Sequence, residues 1–179
     1  MLGIATASVL ASAAEAVSQL DAPATEGTVK AAFLYKFLSY IDWPAAAFDG
    51  PDSPLVMSVL GADRMADELA DLVQGRTVGG RRVQVRKLQD RSAVSGSHLL
   101  FIGALPTERT VQAIRDAKAA GAVTVTEVPA GLALGSVINF LLVDDRVRFE
   151  ISREAAEQTR VSVSSGLLGV AYRVQSGRP

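Results

Sequence analysis

The chain has no cysteine, which excludes disulfide bonds, thiolate metal sites and a cysteine nucleophile. It has one histidine, His98, at the start of an apolar stretch. A lone imidazole cannot build a zinc constellation, and no Gly-x-Ser-x-Gly elbow places a nucleophile beside it, so His98 reads as structural. Dinucleotide and Walker fingerprints are also missing. Gly61-Ala62-Asp63 follows an apolar strand but lacks the second and third glycines of the former. Neither sign of charge dominates: 18 basic and 19 acidic residues leave a net charge of -1. Nucleic-acid-binding domains carry a clear basic excess, so no nucleic acid is expected as a partner. After the first residues no segment reaches the roughly 20 apolar residues of a membrane span, so no membrane insertion of the processed chain is expected. Together these absences point away from an enzyme and imply no cofactor and no metal.

What is present fits a globular protein. Hydrophobic residues make up 49% and charged residues 21%, a balance that excludes wholesale disorder. A chain of 179 residues fits one domain, or one domain plus an export segment. Residues 1–16 form a short apolar run, without charge before Glu15 and ending in small residues, which reads as a secretory signal with cleavage after Ala13 or Ala16. The basic residues that usually precede such a run are missing. Residues 17–27 read as a polar linker, and residues 28–175 as a single α/β domain.

The densest aromatic run, Val29 to Trp43, predicts a central helix that Pro44 stops. Its apolar residues form two overlapping stripes. One is Val29, Ala32, Phe33, Phe37 and Ile41; the other is Ala31, Leu34, Leu38 and Ile41. Then come a buried strand over 55–60, a helix over 64–74 capped by Asp63, and an alternating strand over 82–88. A second unit follows: a strand over 98–102, a helix from Pro106 to Ala120, and a strand over 122–126. Strands alternating with helices argue for a mainly parallel sheet with helices on both faces. At the end, strands over 137–143 and 147–151 join through Asp144-Asp145 as an antiparallel hairpin. Short helices over 153–158 and about 164–173 close the chain.

The paired carboxylates Asp144-Asp145 and Glu154 with Glu157 fall in a turn and on a short helix, where solvation accounts for them. Glu150 is more informative. Strand alternation sends its side chain to the face opposite Phe149 and Ile151, an open face if the hairpin edges the sheet. Arg160, Ser162 and Ser164 alternate in the same way. These four residues, Glu150, Arg160, Ser162 and Ser164, are the candidate partner contacts.

Two signatures, read together, carry a resemblance. One runs from Val29-Lys30-Ala31-Ala32-Phe33-Leu34-Tyr35 to Trp43-Pro44. The other is Gly135-Ser136-Val137-Ile138-Asn139-Phe140, then Phe149-Glu150-Ile151, then Val161-Ser162-Val163-Ser164-Ser165-Gly166-Leu167-Leu168. Gly80-Arg81 and Ser97-His98 fall in order between them. From Val29 to Val174 the chain resembles the YfiR-like family of bacterial periplasmic proteins. The resemblance implies an exported, non-enzymatic α/β protein of the Gram-negative periplasm, often a homodimer. Such a protein restrains a membrane-bound diguanylate cyclase by binding its periplasmic domain, and so limits cyclic di-GMP output. Two positions depart from the family pattern. Ser97 stands where relatives often have cysteine, which removes redox control through the chain's own thiols. Gly135-Ser136 stands where relatives have two glycines, which suggests a looser turn requirement. The alternative reading is a small-molecule-binding domain that uses the crevice at the strand ends near Gly61, Gly103 and Glu127.

Overall fold

The computed structural model describes residues 25–177, apart from the side chains of residues 91 and 92. The expected signal segment and most of the expected linker lie outside the described residues. Helix α1, Glu26–Phe37, begins inside that linker. The Thr25 hydroxyl accepts from the Thr28 N–H at 3.2 Å and caps it, with Glu26 in the first turn and Lys36 in the last. The helix ends at Phe37, six residues before Trp43. Leu38, Ser39 and Tyr40 tighten into i to i-3 bonds, and Ile41–Asp42 becomes strand β1. Pairing of β1 with β9, Ser162–Val163, fixes that early end, in the register Ile41 with Val163. Of the two apolar stripes, Ala31, Leu34, Leu38 and Ile41 are all buried, whereas Ala32 is exposed.

Eight strands form the main sheet. They are β2 (Leu55–Leu60), β3 (Thr77–Val78), β4 (Arg81–Leu88), β5 (Leu99–Ile102), β6 (Val123–Thr126), β7 (Ile138–Val143), β8 (Arg146–Ser152) and β10 (Arg173–Gln175). Their spatial order is β10-β8-β7-β6-β5-β2-β4-β3. The five central strands β4, β2, β5, β6 and β7 are parallel, as expected of strand-helix-strand units. The hairpins β3–β4 and β7–β8 are antiparallel. Asp144 and Asp145 take φ of 50° and 56°, the left-handed pair that a two-residue hairpin turn requires. The outermost strand, β10, has no counterpart in the sequence expectation, which ran a helix through Arg173. It pairs parallel to β8, with Arg173 opposite Glu150.

Helices cover both faces of this sheet. Helix α2, Asp63–Val73, joins α1 on one face, with Leu34, Phe37, Leu69 and Phe101 in a single core. Asp63 does not cap α2: the N-cap is Ala62 and makes no side-chain bond, while Asp63 pairs with Lys87 at 3.0 Å. Helix α3, Thr107–Ala119, covers the other face with Ala113, Ile114 and Ala117 against Leu100 and Ile102. Helices α4, Arg153–Gln158, and α5, Ser165–Val170, follow β8, and Ser164 caps α5 through Leu167 N–H at 3.3 Å. Phe33 and Phe37 of α1 meet Phe140 and Phe149 of the hairpin with ring centroids 5.0 to 6.2 Å apart. These ring contacts lock the C-terminal hairpin to the first helix.

Candidate partner-binding surface

Glu150 does leave the sheet opposite Phe149 and Ile151, but the face it enters is closed. The residue is 3% exposed, and Arg173 from β10 reaches over it. Arg173 Nε donates to Glu150 Oε2 at 2.9 Å, and a second guanidinium nitrogen donates to the same oxygen. Asn139 Nδ2 donates to Oε1 at 3.1 Å. Asn139 Oδ1 in turn accepts from Thr126 Oγ1 at 2.8 Å and from Val128 N–H at 3.3 Å. A continuous polar chain therefore crosses β6, β7, β8 and β10. Burying a carboxylate is tolerable only with such partners. The open face expected for Glu150 is corrected by β10, a strand that begins 23 residues later.

The adjacent loop fits tightly over this chain. A Cβ at Gly131 would lie 2.3 Å from Asn139 Oδ1 and 2.4 Å from Thr126 Oγ1. Beside it, Lys30 of α1 is buried and reaches Glu127 Oε2 at 2.7 Å, with Glu26 as a second partner. Burial alone would lower the Lys30 pKa, but the bonds and charges of Glu127 and Glu26 outweigh it and raise it. On the other side of Glu150 the carboxylate raises the Arg173 pKa further. Lys30, Glu127, Asn139, Glu150 and Arg173 line one shallow groove of about 480 Å³ in which the buried charges compensate each other.

Beyond this groove the surface turns apolar. Four large apolar side chains are exposed among the described residues, and three of them, Leu142, Val170 and Tyr172, belong to the hairpin and the segment from α5 to β10. Val170 and Tyr172 share a groove of about 520 Å³ with Val143, Arg146 and Arg148. Tyr172 N–H donates to Phe149 O at 2.8 Å, and β10 pairs only from Glu150 onward. Arg146 to Arg148 thus lie past the last of these bonds. Apolar side chains set among arginines are the usual composition of a contact surface.

Arg160, Ser162 and Ser164 do not join Glu150. Arg160 is exposed in the left-handed region at φ 61° after α4. Ser162 pairs with Asp42 in the separate two-stranded sheet, and Ser164 caps α5. No single strand face carries all three. Arg173, Asn139, Val170 and Tyr172 escaped sequence reading. Only the alternation of Tyr172-Arg173-Val174-Gln175 hinted at a strand there.

Beside Gly61 and Gly103 the crevice at the strand ends is occupied by the chain itself. The Leu105 side chain lies 2.6 Å from where a Gly61 Cβ would stand, and a Gly103 Cβ would meet Gly61 O at 2.6 Å. Glu127, the third residue of that reading, is committed to Lys30. The two positions that depart from the family pattern each carry a serine with a defined task. Ser97 is buried and shares a 2.7 Å bond with Ser58 Oγ while accepting from Arg86 at 2.9 Å. Ser136 Oγ donates to Ile138 O at 2.7 Å and ties the residue after Gly135 to β7. Among the described residues no group of three or more His, Asp or Glu side chains is placed to hold a metal ion. No helix among them is long and apolar enough to cross a membrane.

The model of a family described as YfiR/HmsC-like matches residues 27–172. The chain belongs to the YfiR/HmsC-like family. The matched span starts at the second residue of α1 and ends at Tyr172, so it takes in the hairpin and most of the polar groove. None of the curated proteins matches the chain. Among solved structures it is similar to the crystal structure of a conserved domain protein from Vibrio cholerae O1 biovar El Tor, with a TM-score of 0.57 and 10% identity. The alignment covers 84% of this chain and 60% of that one, so the chain spans well under two thirds of its neighbour's length. At that identity the likeness is one of fold.

Proposed function

We infer that the chain is an exported regulatory binding protein of the periplasm that restrains a membrane-bound diguanylate cyclase by holding that enzyme's periplasmic domain. Residues 1–16 serve as the export signal, 17–27 link it to the domain at 28–175, and the working form is a homodimer. Restraint follows from differential affinity: binding one conformation of the partner's sensor domain lowers the population of the other. Family membership supports the class of partner. The observation that carries the contact itself is the exposed pair Val170 and Tyr172 with Arg146 and Arg148 beside it. Tyrosine and arginine are the residue types that dominate binding energy at such surfaces. Glu150 contributes through Arg173, whose guanidinium it fixes in place. Arg160, Ser162 and Ser164 remain proposed contacts around the neighbouring α5 cap.

The test is affinity for the isolated periplasmic domain of a co-encoded membrane cyclase, measured by calorimetry. Tyr172→Ala should weaken binding by about tenfold or more, as truncation of a central aromatic contact does, with an unchanged melting temperature. Wild-type affinity in Tyr172→Ala and in Val170→Asp would remove this surface from the interface. Failure of the wild-type chain to bind any cyclase domain would remove the cyclase.

A further inference from the structure

A cavity of about 600 Å³ lies at the opposite end of the sheet, where Ser97 and His98 lead into β5 and Gly121 leads into β6. We propose that it is a binding site for a small organic anion, with a carboxylate or phosphate head and a compact apolar body. The proposal goes beyond the regulatory role inferred above and does not depend on it.

The charge of the lining is one-sided. Arg115 and Lys118 from α3 and Arg160 after α4 face the cavity, and no carboxylate is among its lining residues. In a chain of net charge -1, three cations around one cavity form a local concentration of positive charge. None of the three has a carboxylate partner among the described residues, in contrast to Lys30 and Arg173. Lys118 Nζ donates instead to the neutral Gln158 Oε1 at 2.6 Å, which holds the ammonium across the cavity between α3 and α4. Three carbonyls at the end of α3, which would repel an anion, are occupied. Those of Ala117 and Asp116 accept from Ala122 and Ala120 at 2.8 and 3.0 Å, and that of Lys118 from Gly121 at 3.0 Å.

Apolar wall comes from Pro44, Ala46 and Ala47 on one side and Ala119 and Ala120 on the other, and Ser97, His98, Gln158 and Thr159 add neutral polar groups. The first three belong to a loop with little freedom. Ala47 O accepts from the His98 ring, and Phe48 stacks on that ring with centroids 4.5 Å apart. The volume lies in the usual range for small-ligand sites, which combine apolar walls with a few convergent polar groups.

Arg160 supplies an independent argument. Its φ of 61° is the left-handed conformation that follows a helix end and is normally given to glycine. An arginine there stores backbone strain, and such strain persists where a side chain is needed. Ligands of open α/β sheets usually bind at the other end of the strands. Here Leu105 and the close approach of Gly103 to Gly61 occupy that end beside β2 and β5.

Trp43 provides the readout, because it is the only tryptophan, precedes Pro44 of the wall and donates to His98 O at 3.2 Å. The full chain would be titrated with phenyl phosphate, benzoate and the uncharged benzamide, following Trp43 fluorescence and calorimetric heat. Both anions should bind saturably and benzamide should not. Arg160→Gly should keep or raise the melting temperature, since glycine relieves the left-handed backbone, while weakening both anions about tenfold. Arg115→Ala should weaken them similarly. Three results would each overturn the proposal: an equal response to benzamide, no saturation by about 10 mM of either anion, or wild-type affinity in both variants.

Discussion

His98 is held as one neutral tautomer by its neighbours. Nδ1 accepts from the buried Val56 N–H at 3.0 Å, so Nε2 carries the proton and donates to Ala47 O at 3.1 Å. Burial lowers its pKa most, opposed by the bond to Ala47 and supported by the charges of Arg81 and Arg86. With the folded pKa below the unfolded value, the unfolded chain binds more protons in the window between them. Stability therefore falls as pH drops below about 6.5 towards the folded pKa, by at most about 1.4 kcal/mol per pH unit for one proton. Because the chain has no other histidine, thermal melts between pH 7 and 5 should lose most of this slope in His98→Gln. An unchanged slope would place the titration elsewhere. Two glycines should respond in opposite directions. Gly131→Ala forces a methyl against Asn139 and Thr126 and should cost about 1–3 kcal/mol in denaturant melts. Gly169 lies within α5 with nothing within 4 Å of its would-be Cβ, and Gly169→Ala should stabilise by about 0.5–1 kcal/mol. Neither difference could be read from the letters G131 and G169, since the distinction lies in what each backbone faces.

Strand β10 has an effect out of proportion to its three residues. It converts a half-open polar position on β8 into a buried carboxylate paired with an exposed guanidinium. Ending the chain after Tyr172 should uncover Glu150, leave it with Asn139 alone, and cost about 1–3 kcal/mol by loss of hydrogen bonds to a buried charge. Chemical denaturation of the truncated chain checks this, and full stability would mean that β10 is ornamental. The parallel strands were legible because burial on both faces leaves near-continuous apolar runs, as in Leu55-Val56-Met57-Ser58-Val59-Leu60 and Leu99-Leu100-Phe101-Ile102. The end of α1 was not. Its apolar pattern continues through Ile41, and the distant pairing with Val163 decides that Ile41 is strand. Glu150 failed for the same reason: alternation gives the side of the sheet, and only the neighbouring strand says whether that side is covered.

Across the molecule as a whole, two surfaces at different ends of the sheet carry different chemistry. One is apolar with Arg146 and Arg148 beside Val170 and Tyr172; the other is a concave cavity ringed by Arg115, Lys118 and Arg160. The near-neutral net charge means that long-range steering must come from such local patches. Arg146→Glu with Arg148→Glu should slow partner association and reduce its salt dependence, leaving thermal stability within about 0.5 kcal/mol, because both side chains are exposed. Surface-plasmon association rates at two ionic strengths would show it, and an unaltered rate would detach these arginines from the encounter.

By itself the sequence determined the α/β class, the parallel centre and the hairpin turn at Asp144-Asp145, because these rest on periodicity and on local backbone chemistry, while the family showed as a resemblance in ordered motifs. Tertiary structure decided the rest: where α1 stops, that Glu150 is sealed by Arg173, that the crevice at Gly61 and Gly103 is filled, and that Arg160 turns towards a cavity. Each of these depends on which distant segment packs or pairs alongside. A pattern of neighbours along the chain holds no record of neighbours across it.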